Sequence, residues 1–67
     1  MITIELNGCK QGVPPGSSVS DILALIGSNG KNAAVLVNEK IVRPENRSTV
    51  FLHEGDRVEV LVFAGGG

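Results

Sequence analysis

Ile2, Ile4 and Leu6 alternate with Thr3 and Glu5. A period of two buries one face of an extended segment. Asn7-Gly8 follows, a pair that accepts positive φ at both central positions of a tight hairpin turn. Residues 9–13 are then the returning strand. Pro14-Pro15-Gly16 ends it, because proline cannot donate to a ladder. At Ser18 the period changes. Val19, Ile22, Leu23 and Ile26 fall at i, i+3, i+4 and i+7, one stripe of a helix. Ser18 and Asp21 supply a Ser-x-x-Asp capping pattern, and Gly27 can close the helix in a left-handed conformation. About two and a half turns do not persist alone, so this helix must dock on a sheet.

A polar loop over residues 28–32 leads to a strand at 33–37, with Val35 and Val37 inward and Leu36 outward. Asn38-Glu39-Lys40 makes a turn. Ile41-Val42 is a short strand cut off by Pro44. Residues 44–48 form one helical or irregular turn, and 49–52 a brief extended piece. After a turn at residues 53–56, residues 57–63 form the last strand. Val58, Val60 and Val62 take its core face, and Leu61 and Phe63 the opposite one. The order hairpin, helix, strand, short strand, long strand predicts an α+β domain. Its mixed sheet has four or five strands, with one helix packed across one face.

Length sharpens this picture. The 67 residues make one domain, and a chain this small buries only about 60% of its unfolded surface. A sheet with a helix on it is realistic; a cleft between two lobes is not. Phe51 and Phe63 are the only aromatics, whereas single-stranded nucleic acid needs stacking platforms. The net charge is −1. Lys10, Lys31, Lys40, Arg43, Arg47 and Arg57 are scattered, without the clustered positive field that holds phosphate backbones. Nucleic acid is therefore not an expected partner. Cys9 is the only cysteine, so no internal disulfide forms, which fits a reducing compartment. The sequence opens without a basic and then apolar leader, and no apolar run nears the roughly 20 residues of a membrane span. The expected location is cytoplasmic, with no membrane partner.

Ala64-Gly65-Gly66-Gly67 follows the last predicted strand directly. It divides the chain into a domain, residues 1–63, and a flexible tail, 64–67. One reading of the tail is an ordinary frayed terminus. The other is a thread that carries the Gly67 carboxylate into another protein's active site. Glycine has no Cβ, so such a thread passes a narrow slot, and four extended residues reach about 13–14 Å. The carboxylate is ionised at neutral pH and resists nucleophiles. Adenylation by ATP activates it, and a sulfur nucleophile then yields a thiocarboxylate. These steps require a partner enzyme and no catalytic residue or bound cofactor in the carrier.

The other candidates divide between chemical and plain readings. Leu36, Leu61 and Phe63 are either scattered surface groups or a docking patch beside the tail. Cys9 reads as a small core residue, since Lys10, its cationic neighbour, points to the other face of the strand. His53 has no Cys or His partner at metal-ligand spacing and reads as solvated. Residues 27–31 look faintly like a phosphate loop, but Leu25 and Asn32 stand where that pattern needs Gly and Ser or Thr.

Several stretches resemble the sulfur-carrier proteins of thiamine biosynthesis, the ThiS family. They are Met1-Ile2-Thr3-Ile4-Glu5-Leu6-Asn7-Gly8 at the start, Ser18-Val19-Ser20-Asp21-Ile22-Leu23 at the helix opening, and Val35-Leu36-Val37-Asn38-Glu39-Lys40-Ile41-Val42 in the middle. Glu54-Gly55-Asp56-Arg57-Val58-Glu59-Val60 and Phe63-Ala64-Gly65-Gly66-Gly67 complete the likeness, which spans essentially the whole chain. Many members carry a bulky aromatic near the position of Asn46 or Arg47, and this chain departs from them there. The resemblance implies a β-grasp, ubiquitin-like fold. It implies adenylation of Gly67 by an E1-like adenylyltransferase of the ThiF type, with ATP used by that enzyme. Sulfur would come from a donor such as a cysteine desulfurase and pass to a thiazole synthase of the ThiG type. Gly65 and Gly66 would be the tail behind the reactive carboxyl.

Other readings stay open on sequence alone. A carrier for cysteine, methionine or tRNA thiolation shares these features. A molybdopterin carrier fits less well, because Val62-Phe63-Ala64 stands where those chains often have Pro-Pro. A ubiquitin-like modifier joined through Gly67 and an adaptor with an idle tail belong to different classes. An enzyme is the poorest fit.

Overall fold

Asn7 and Gly8 take φ of 50° and 84°, the left-handed pair that a two-residue hairpin turn needs. They join β1 (Ile2–Leu6) to β2 (Cys9–Val13), antiparallel, with Leu6 opposite Cys9 and Ile2 opposite Val13. The structure is a computed structural model that describes residues 1–28 and 30–63. The predicted tail, Gly65, Gly66 and Gly67 included, lies outside the described residues.

A second hairpin joins β3 (Ala33–Val37) to β4 (Lys40–Val42). Its turn again uses two positive φ values, 51° at Asn38 and 70° at Glu39. The Asn38 side chain ties this turn to the last strand: its Nδ2 donates to Asp56 Oδ1 and its Oδ1 accepts from the Arg57 N–H, both at 3.0 Å. That last strand, β5 (Arg57–Val62), lies between the hairpins. It runs parallel to β1, with Leu6 opposite Val58, and antiparallel to β3, with Val35 opposite Val60. The sheet order is β2-β1-β5-β3-β4, and the mixed five-stranded sheet with one helix is a β-grasp fold.

Helix α1 (Val19–Leu25) starts as predicted. The Ser18 hydroxyl accepts from the Asp21 N–H at 3.2 Å, and the Asp21 carboxylate accepts from the Ser18 N–H at 2.9 Å. It also stops as predicted. Gly27 is left-handed, its N–H donates to Ala24 O, and the Ser28 N–H donates to Leu23 O, which satisfies two of the last carbonyls. The seven residues of the helix span only about 10 Å, and this shortness corrects two expectations. Val19, Ile22 and Leu23 are buried, but Ile26 caps the helix and is largely exposed. Val58 and Val60 are buried, but Val62 is 68% exposed. It shares a shallow groove with Ile26, Gly27 and Ser28, where the helix has run out. Cys9 is exposed as well. Its register, opposite Leu6, is that of the core face, but it stands on an edge strand at the hairpin end.

The remaining cover comes from the connection before β5. Leu52 enters the core. The connection is held by Val19 N–H donating to Val50 O at 3.0 Å and Leu52 N–H to Ser17 O at 2.8 Å. Before it, a 3₁₀ turn spans Pro44–Asn46 and delivers Arg47, only 7% exposed. The Arg47 Nη1 donates to Gly30 O at 2.8 Å and its Nη2 to Ala33 O at 2.6 Å. Where the family resemblance leads one to expect an aromatic, a buried guanidinium clamps the loop between α1 and β3. Gly30 leaves room for it. A Cβ there would stand 2.7 Å from Nη1 and 3.3 Å from Leu23 Cδ1, on a backbone with φ of 79°.

Two stability predictions follow from this geometry. Arg47→Met keeps the stem but strips the carbonyls of Gly30 and Ala33 of their donors, and should cost about 2–3 kcal/mol in urea unfolding. Glu39→Gly relieves a left-handed glutamate at some entropic cost. It should stabilise by about 0.5–1 kcal/mol and raise Tm by roughly 2–6 °C in calorimetry.

Candidate functional site

The strand order decides where the predicted tail begins. β5 is central, and its end faces the start of β3, with Val62 opposite Ala33. One step further, the Phe63 N–H donates to Asn32 O at 2.8 Å. On the other side, β1 pairs with β5 only at Glu5 and Leu6. Beyond that overlap Asn7 Oδ1 accepts from the Val60 N–H at 2.8 Å. Asn32 lies between Gly30 and Ala33, the two residues whose carbonyls Arg47 holds. The point from which residues 64–67 depart is thus fixed to a braced loop. The groove lined by Ile26, Gly27, Asn32, Val62 and Phe63 lies beside it.

The second feature is the sheet face away from the helix. Register places Ile41, Leu36 and Glu59 in one row across β4, β3 and β5, and Ala34 and Leu61 in the next. Leu61 is the last residue of β5 with outward parity, since the strand ends at Val62. The structure brings Leu36 and Leu61 onto one face, whereas Phe63 lies past the end of β5 and lines the groove beside Val62 and Ile26. Leu61 is 49% exposed, Phe63 is exposed, and Leu36 is half-buried. Ile41 joins Leu36 and Leu61 and is more exposed still. It escaped notice in the sequence, although its signal was there: with Val42 inward, its neighbour had to face out. The opposite end of this face is charged, with Arg57 Nε 3.3 Å from Glu5 Oε2 and Lys10 opposite Glu5.

The minor candidates assemble nothing. The His53 side chain is exposed, with Nδ1 3.8 Å from Asp56 Oδ2. Among the described residues no group of three His, Cys, Asp or Glu could hold a metal ion, and no helix is long and apolar enough to cross a membrane.

Known proteins with this arrangement can now be compared. A crystal structure of a thiamine biosynthesis protein (ThiS) from Geobacter metallireducens superposes with a TM-score of 0.82 at 28% identity, over 98% of this chain and all of that one. A solution structure of a thiamine biosynthesis protein from the same organism gives 0.77 at 25% identity, over 98% of this chain and 88% of that one. No curated protein matches the chain significantly. The model of the ThiS family matches residues 3–67, both hairpins, the helix, β5 and the glycines beyond it. The chain belongs to the ThiS family.

Proposed function

We propose that the protein is a sulfur carrier of thiamine biosynthesis that works through the carboxyl group of Gly67. The observation that supports this most is the placing of Phe63. The central strand runs straight into residues 64–67 from a root held by Asn32 O, at the border of an exposed apolar face. Membership of the ThiS family and the likeness to thiamine biosynthesis proteins agree with it.

The chemistry is that of carboxyl activation. The Gly67 carboxylate attacks the α-phosphorus of ATP in an E1-like adenylyltransferase, and pyrophosphate leaves. A persulfide, supplied by a donor such as a cysteine desulfurase, attacks the acyl carbon through its outer sulfur and AMP leaves; a thiol then attacks the donor sulfur of the acyl disulfide, becomes disulfide-bonded to it, and releases the thiocarboxylate. The resulting thiocarboxylate gives its sulfur to a thiazole synthase. The carrier contributes recognition and reach. Leu36, Leu61 and Phe63, joined by Ile41, dock on each partner in turn, while Gly65 and Gly66 let the backbone enter a narrow site. It is a co-substrate, not an enzyme.

Incubation with its own organism's adenylating enzyme, ATP and a sulfur donor should replace one terminal oxygen by sulfur in the intact mass. An unchanged mass with a verified active enzyme would count against the proposal. One residue added after Gly67 should abolish the reaction while the melting curve stays the same. A covalent ladder on other proteins that survives reducing agent would point to a modifier instead. Leu61→Ala should weaken binding to the adenylating enzyme roughly tenfold, as loss of an interface anchor does.

A further inference from the structure

One group on the outer face does not fit a purely apolar contact. Glu59 sits directly opposite Leu36, which is itself opposite Ile41, and Leu61 follows two residues along the same strand. Glu59 is half-buried. Among the described residues its carboxylate has no hydrogen bond or ion pair. Arg57, the basic residue two positions before it on the same side, is turned to Glu5. Lys10, Glu5 and Arg57 form an alternating row across the far end of the face. Glu59 is left as the odd charge, set against the apolar group.

We propose that Glu59 is a selectivity residue, and that the partner fitted to this face meets it with an arginine. This rests on the docking role given to the face above. In the free protein, water solvates the carboxylate. A partner that covers Leu36, Ile41 and Leu61 removes that water, and an ionised carboxylate is costly to bury without a partner charge. A wholly apolar counter-surface is therefore rejected even though its shape and hydrophobicity suit the leucines. A guanidinium satisfies both carboxylate oxygens in one plane and is more weakly hydrated than an ammonium, so it is the better match for a desolvated site. The gain is chiefly discrimination: the charge penalises wrong partners more than it strengthens the right one. The apolar group supplies adhesion, and Glu59 decides which adhesive surfaces qualify.

The test uses the full chain and the purified adenylating enzyme of its own organism, with binding followed by calorimetry. Glu59→Gln should weaken binding tenfold or more and Glu59→Arg a hundredfold or more, with unchanged melting temperatures. Reversal of one surface arginine of the enzyme to glutamate should restore binding to Glu59→Arg and not to the parent chain. Leu61→Ala serves as the control. If both Glu59 variants bind within twofold of the parent while Leu61→Ala binds weakly, charge selection is wrong and the docking face stands. If Leu61→Ala also binds like the parent, the docking role itself has failed, and this proposal with it.

Discussion

Only one face of this sheet can be covered. Among the described residues a seven-residue helix and a single connection lie on it, and Ile4, Val35, Val58 and Val60 are buried beneath that cover. The alternation along each strand then leaves no choice for the other side chains. Whatever apolar groups occupy the opposite parity must face outward, and Leu36, Ile41 and Leu61 do. An exposed apolar face costs solubility, and a chain this short cannot hide it internally. The groups that the fold cannot bury are the ones to which the docking role is proposed above.

The same economy explains the clamp at Arg47. A core this thin has little to spare for fixing loops. The loop after α1 is instead held by a guanidinium on two carbonyls. Arg47 also ties the fold to the site. Asn32, which accepts the Phe63 N–H, belongs to the loop that Arg47 braces. The exit of β5 at Phe63 is thus tied, through Asn32, to a residue more than a dozen positions back in the chain, on no strand at all.

What could be read from the sequence was local. Asn7-Gly8 declares a turn through its own backbone preferences, and Ser18 with Asp21 declares a helix start through hydrogen bonds three residues apart. The parity of Leu36 and Leu61 follows from strand geometry alone. What could not be read depends on distant partners. Ile26 and Val62 fit their buried stripes, but each lies past the end of the element that would have covered it. Cys9 has core register and no cover because it stands at the hairpin end of the edge strand, while Val13 at the other end of the same strand is buried. Arg47 contradicts the usual exposure of its residue type. Its burial requires Gly30 and Ala33 to arrive from another segment, which no local pattern announces. The departure from the aromatic expected near Asn46 or Arg47 was visible, and its meaning appeared only when the carbonyls were seen around the guanidinium. Glu59 alternates with Val58 and Val60 in the sequence, and only the register of β5 against β3 sets it beside Leu36.

β5 is the last of the described strands to be synthesised and the middle one in space. Before it arrives, β1 and β3 share no ladder, because each reaches the other only through it. The early hairpin and helix can form while the chain is still being made, but the sheet cannot close until residues 57–62 are free. A chain that stops short of them has two unjoined hairpins and no properly shaped outer face. If the outer face is the docking surface proposed above, the ability to be recognised arrives together with the strand that leads to the glycines.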